Sequence, residues 1–282
     1  MKKLGLKVSQ ENGLNGANGS GMPTLTPLHV SSSSETLNRA IYKSLVAIAK
    51  YPPSMENDLF TIADTNDTFH IQYLSSSFDS MQDLSQSLNG YQRSRSTDPI
   101  PKRIFFHIKP MTYQYFSPKE YFSYLPSSSN VGQSLAYVEV TTSTQTLLDK
   151  NPAFLRSLPS GFVIVAASQL NGRGRAGNAW ISPRGSLVFS YVLRLPLRLS
   201  CRLVFVQYLV SLAVVEGIRS YASGWENIDV SIKWPNDVYG KPRYTDRWEK
   251  IGGIIVNSTY LENEYVLVIG ISPPSPALVL LY

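Results

Sequence analysis

Apolar and polar positions divide the chain into a weakly patterned first half and a strongly patterned second half. Residues 1–34 are rich in Gly, Asn and Ser and close on the run Ser31–Ser34. So few apolar positions cannot offset the entropy of ordering, which predicts disorder. The next segment, ETLNRAIYKSLVAIAKYPP, sets Leu37, Ile41, Leu45 and Ile48 at helical spacing, with Pro52 and Pro53 as the stop. Residues 54–100 are mixed polar sequence that offers this helix little to pack on. A small apolar island, KRIFFHIKP, starts at Lys102, and FSPKEYFSYLPSSSN then runs into serines. A domain boundary is expected near Ser128–Gly132. Residues 1–132 then form a Ser-rich, partly disordered extension and linker.

From Leu135 the texture changes. AYVEV alternates as a strand, and Ser143 and Thr144 stand where a helix N-cap belongs, before QTLLDK, with Pro152 as the stop. GFVIVAAS is a short apolar run rich in Val and Ile, the pattern of a buried strand. SLVFSYVLRL predicts another strand. Leu203–Tyr221 is apolar almost all round and too long for a strand, so a buried helix is expected. DVSIKW leads into a Pro-Asn-Asp turn, and KIGGIIVNSTY and EYVLVIGI predict two antiparallel strands joined near Glu262 and Asn263. Neighbouring strands that outnumber helices predict an α+β fold.

Composition narrows the function classes. The 282 residues are 43% hydrophobic and 16% charged, ordinary for a globular chain. The net charge of +6 is thinly spread: residues 1–133 carry 12 basic and 10 acidic side chains, residues 134–282 carry 14 and 10. No basic run marks a nucleic-acid arm, and an anionic small molecule or acidic partner explains the excess equally well. The lone Cys201 excludes an intramolecular disulfide framework and a cysteine-rich zinc site, and its apolar setting predicts a buried structural thiol. With no signal-peptide pattern after Met1, and Leu203–Val215 too short to span a bilayer, the chain is expected to be soluble and cytoplasmic.

Three segments carry candidate chemistry. QLNGRGRAGNAW contains Gly172-x-Gly174-x-x-Gly177, a literal dinucleotide fingerprint. That motif needs a following helix and an acidic residue about 20 positions on. Here Pro183 and Gly185 block a helix, and the next acidic residue is Glu216. What remains is a flexible loop after a buried strand, bearing Arg173 and Arg175. Two guanidiniums there suit carboxylate or phosphate oxygens, set against the plainer reading of a solvated basic turn. Lys233-Trp234-Pro235-Asn236-Asp237 joins a cation to two hard oxygen donors suited to Mg²⁺. Lys250-Ile251-Gly252-Gly253-Ile254 puts two glycines inside a strand pattern, the mark of a bulge or of close approach by a ligand.

Taken in order, GRGRAGNAW, KWPND and KIGGIIV over residues 135–271 resemble the catalytic domain of biotin–protein ligases, most closely the eukaryotic (fungal) holocarboxylase synthetase type. The resemblance implies a class II synthetase-like mixed sheet with helices packed on it. It implies formation of biotinyl-5′-AMP from biotin and MgATP, then transfer of biotin to a lysine of a biotin carboxyl carrier domain. Lys233, Arg173 and Arg175 would act at the reacting centre. Ser143, Thr144, Gln145, Gln169, Gly172 and Gly174 would join them around biotin. Trp180, Asn236, Asp237 and Lys250, with Arg175, would meet the nucleotide, and Asn236 and Asp237 would help hold Mg²⁺. His29, His70 and His107 precede this region and are expected to be incidental.

The resemblance also implies a continuation after Ile271 with a glycine–x–asparagine segment, helices and a small barrel. SPPSPALVLLY stands there instead, so residues 273–282 are expected to be an atypical tail on a truncated domain. KPRYTDRW is expected to be a surface loop. Three rival readings follow. They are a lipoate ligase-like enzyme, a truncated form that is inactive or only binds biotin, and, as the outsider, a nucleic-acid-binding module.

Overall fold

A computed structural model describes residues 23–53, 58–74, 100–174, 178–184, 186–242 and 245–272. The predicted disorder of residues 1–22 and the atypical tail at 273–282 lie outside the described residues. Strands β1 (Leu28–Ser32), β2 (Leu59–Ala63), β3 (Thr68–Leu74) and β4 (Lys102–His107) come from the first 132 residues, with helices α1 (Glu35–Ala47) and α2 (Pro118–Tyr124). Then follow β5 (Ser134–Thr141), α3 (Thr144–Asp149), α4 (Pro152–Ser157), β6 (Val163–Arg173), β7 (Ala179–Ser182) and β8 (Val188–Pro196). A 3-10 turn (Leu197–Arg202) leads into α5 (Leu203–Arg219), and β9 (Val230–Lys233), β10 (Asp237–Gly240), β11 (Glu249–Leu261) and β12 (Glu264–Ser272) complete the fold. The strands form one mixed sheet in the order β2-β3-β4-β1-β5-β6-β8-β12-β11-β10-β9, with β7 added against β6. The architecture is α+β with helices packed on the sheet.

The expected boundary near Ser128–Gly132 is overturned as a break in the fold. β1 pairs antiparallel with β5, Leu28 opposite Val138 and Ser32 opposite Ser134. Ser31 and Ser32 are therefore strand residues, and Ser34 caps α1 by accepting from the Leu37 amide. Residues 28–32 lack the apolar surface to order alone; two neighbouring strands order them. The β2–β3 hairpin is tied to the second half as well. Asp64 accepts from the amides of Ala153 and Phe154 at the start of α4, at 3.3 and 2.7 Å. Asn151 donates to Asp67, which also pairs with Lys102. Burial pushes the Asp67 carboxyl up, but hydrogen bonds from Lys102, Asn151 and Asn66 outweigh it and hold its pKa below the usual value. One apolar cluster joins Leu28, Val30, Ile41 and Leu45 from the first half to Phe154, Ile164 and Val268 from the second.

Three further expectations are corrected, on Pro152, on the burial of α5 and on the burial of Cys201. Pro152 opens α4 at its first turn, where its missing N–H costs nothing, rather than only ending α3. The α5 segment is helical as expected but buried on one face only. Val206, Val210 and Val215 pack over β9–β11, while Val204, Phe205, Tyr208, Leu209 and Leu212 are exposed, as is Cys201 in the preceding turn. The turn and α5 form one helical segment, Leu197–Arg219, long and apolar enough to cross a membrane by length and composition. Its buried side belongs to this domain, because Gln207 donates to the Ile254 carbonyl at 2.8 Å.

Candidate functional site

A cleft of about 710 Å³ opens where the ends of β6, β8, β11 and β12 meet the start of α3. Its floor is polar and nearly closed to solvent. Ser143, Thr144, Gln145, Gln169 and Ser190 are all buried. Ser143 is the N-cap of α3, its Oγ accepting from the Thr146 amide at 3.2 Å, as its place before QTLLDK predicts. Thr144 follows in the first turn, and its amide donates to Gln169 Oε1 at 3.0 Å. Its hydroxyl lies 2.8 Å from that of Ser190. Gln145 donates through Nε2 to the Val268 carbonyl at 2.9 Å, which fixes its carboxamide across β12. The floor is therefore neutral and densely hydrogen-bonded, suited to an uncharged polar ring.

The walls carry charge. Asp237 and Lys250 pair at 2.7 Å on one side, beside Gly253. A Cβ at Gly253 would stand 3.5 Å from Lys250 Cε and 3.8 Å from Asp237 Oδ1, so the missing side chain lets a ligand approach this pair. Asn236 is clamped to β11, its Nδ2 donating to the Ile254 carbonyl at 3.0 Å while its own carbonyl accepts from the Ile254 amide at 2.9 Å. Across the cleft, Arg173 ends β6 with its side chain exposed, and the Gly174 amide donates to the Asn178 carbonyl at 2.8 Å. The loop leaves a strand and returns as the strand β7, with Gly172 paired to Trp180, which accords with rejection of the dinucleotide fingerprint.

Most of the expected site residues thus converge. Ser143, Thr144, Gln145, Gln169, Arg173, Gly174, Asn236, Asp237 and Lys250 all line this one cleft. Gly172 lies in β6 one step before the mouth, and Trp180 in β7 beside it. Arg175 lies outside the described residues. Lys233 is not among the cleft residues: it is exposed, with its ammonium 3.2 Å from the Tyr239 hydroxyl and 4.9 Å from that ring's centre. It nevertheless sits opposite Asp237 in the β9–β10 ladder, on the same face of the sheet. Among the described residues no group of three or more His, Cys, Asp or Glu could hold a metal ion.

Several lining residues were not anticipated. Asn178, Ser190, Gly270 and Ser272 belong to the cleft. Ser190 had a readable signal, a hydroxyl between Val188 and Val192 on the inward face of β8, and so did Gly270, a glycine inside the apolar run of β12. A Cβ at Gly270 would lie 2.4 Å from Gln145 Oε1. Only packing reveals that both positions face the same carboxamide.

Known proteins are similar to this chain over the segment that lines the cleft. Residues 137–273 match the biotin/lipoate A/B protein ligase family. A biotin–protein ligase of Schizosaccharomyces pombe is 35% identical over 279 residues, which is 96% of this chain and 42% of that protein. The human biotin–protein ligase is 39% identical over 145 residues, 51% of this chain and 19% of that protein. This chain therefore spans less than half the length of either relative. Among solved structures, a biotin protein ligase from Aquifex aeolicus in complex with biotin and ATP is 29% identical, with a TM-score of 0.37 over 49% of this chain and 51% of that one. The polar-floored cleft thus lies inside the segment, residues 137–273, that matches the biotin/lipoate A/B protein ligase family.

Proposed function

We propose that this chain is an ATP-dependent biotin–protein ligase. It joins biotin to ATP as biotinyl-5′-AMP, releasing pyrophosphate, and passes the biotinyl group to a lysine of a biotin carboxyl carrier domain. The observation that carries the reading is a single cleft with a neutral hydrogen-bonding floor and cations at its mouth. An uncharged ureido ring fits the floor, and a carboxylate then extends toward Arg173 and Lys250.

In the first step a carboxylate oxygen attacks the α-phosphorus and the bond to pyrophosphate breaks. Two anions must meet, so the barrier falls where fixed cations offset their repulsion. Arg173 stands at the mouth, and Asp237 holds Lys250 at the wall. Lys233 has a flexible exposed stem on the same sheet face, and we assign it to the same centre once a ligand draws it off Tyr239. A Mg²⁺ ion accompanying the nucleotide would find one carboxylate, Asp237, with Asn236 beside it. Such an ion is carried largely on phosphates and water. In the second step the acceptor amine attacks the acyl carbon and AMP leaves. Until then water must be kept from the anhydride, and Gly174 and Asn178 line the cleft in which it would lie. We place this activity in the cytoplasm, where a lone exposed thiol such as Cys201 stays reduced.

The test is ATP–pyrophosphate exchange by the full 282-residue chain with biotin or lipoate as the acid. Exchange that depends on biotin is expected. Exchange with lipoate alone, or none with either acid, overturns the proposal. Lys233→Ala is expected to abolish exchange, and full activity would leave the charge-offsetting role to Arg173 and Lys250.

A further inference from the structure

Ser190 is fully buried at the centre of β8, and the scheme above gives it no contact with either reactant. Its position in the floor nevertheless has a direction. Gln145 Nε2 donates to the Val268 carbonyl at 2.9 Å, so Oε1, which can only accept, is the end turned to Ser190 at 3.4 Å. The Ser190 proton therefore has an acceptor of fixed polarity. Ser190 Oγ is then free to accept from the Thr144 hydroxyl at 2.8 Å. The competing acceptor for that hydroxyl, Gln169 Oε1, lies at the same 3.4 Å as Gln145 Oε1 does from Ser190, but it already takes the Thr144 amide at 3.0 Å, whereas Gln145 Oε1 takes no amide among the described residues. That amide bond in turn leaves Nε2 as the donor end of Gln169.

Either hydroxyl can donate across the Thr144–Ser190 contact. When Ser190 donates to Gln145 and accepts from Thr144, Thr144 Oγ1 meets the cleft as an acceptor, beside the Gln169 donor. An acceptor next to a donor complements the N–H and C=O of a cyclic urea. An apolar ring, such as a dithiolane, would leave both buried groups unpaired, which is costly. Gly270 keeps the relay in register, because a Cβ there would displace Gln145 Oε1.

We infer that Ser190 is a positioning residue that fixes the Thr144 hydroxyl as an acceptor and so selects a ureido ring in this cleft. The inference rests on the ligase reading above. Its test is a double-mutant cycle read by isothermal titration with biotin and by pyrophosphate exchange, with melting temperatures as the folding check. Ser190→Ala is expected to raise the Kd and KM for biotin about 10-fold, leaving kcat at saturating biotin and the KM for ATP within about twofold. Combined with Thr144→Val, it should add nothing to the loss from Thr144→Val alone. Ser190→Thr, which keeps the hydroxyl, should hold the biotin KM within about twofold. Additive losses overturn the inference, as does a loss shared equally between biotin and ATP, or one equal in Ser190→Thr and Ser190→Ala at unchanged melting temperature. A wild-type chain that binds no biotin at all overturns the ligase reading itself, whereas normal wild-type binding with additive losses overturns this inference alone.

Discussion

At the scale of single residues, the cleft is decided by which atoms are already spent. Ser143 Oγ accepts from the Thr146 amide as the α3 cap and keeps only its proton for a ligand, beside Thr144 and Gln169 in the same floor. Gly270 is needed because Gln145 occupies the space of its missing side chain. Gly270→Ala should weaken biotin binding at least about 10-fold by calorimetry, since a methyl 2.4 Å from Gln145 Oε1 must push the carboxamide away. Arg173→Ala should let biotinyl-AMP escape, read as free adenylate in a filter-retention assay, because its guanidinium stands at the mouth. The histidines expected to be incidental acquire a structural part. His29 and His107 are buried in mutual contact, Nδ1 to Nε2 at 2.9 Å, so one ring donates and the other accepts. Burial, with some repulsion from His107, pushes His29 well below its ordinary value, and burial lowers His107 to about 4. Unfolded chains bind these protons first, so the stability from neutral rings is whole above pH about 6.5 and lost as pH falls toward 4. Melting curves should show a loss of up to about 3 kcal/mol from His107 across that window, and a shallower pH dependence in His107→Gln.

At the scale of elements, period and punctuation were readable and the burial of whole faces was not. The Glu262-Asn263 hairpin turn is as expected, with φ of 49° and 68°, the left-handed pair that a tight two-residue turn demands. Helix α5 was legible as a helix, but its all-round apolar pattern concealed which face meets the sheet. That is set by β9 and β11, elements distant in sequence from its own start. Val210→Ala should therefore cost about 2 kcal/mol in urea denaturation, and Leu209→Ala less than about 0.5 kcal/mol, although the two residues are adjacent and both apolar. Strands β2 and β3 were missed because residues 54–100 have a weak apolar pattern. The pairing of β3 with β4 supplies the order that the local pattern lacks.

At the scale of the whole molecule, the described strands among the first 132 residues, β1 to β4, are part of the sheet and not a detachable front. β1 covers the edge of β5, Asp64 caps α4, and the apolar cluster crosses from one half to the other. Expressing residues 133–282 alone would bare that edge and the apolar face beneath α1. Such a fragment should aggregate or lose its cooperative melting transition, by size-exclusion chromatography and calorimetry, and lose pyrophosphate exchange with it. A fragment that melts and exchanges like the full chain would restore the boundary near Ser128–Gly132.

The sequence alone determined strands β5, β6, β8, β9, β11 and β12 but not β7 or β10, the arginine–glycine segment that cannot start a helix, and half of the residues that line the cleft. Those features are written in alternation, capping and glycine placement, which act over a few neighbouring positions. The tertiary structure alone decided that residues 28–32 become a strand, that Lys233 rests on Tyr239 while Lys250 lines the cleft, and that Ser190 orients Thr144. Each depends on partners far along the chain, and hydrogen-bond polarity and burial have no value until those partners are in place.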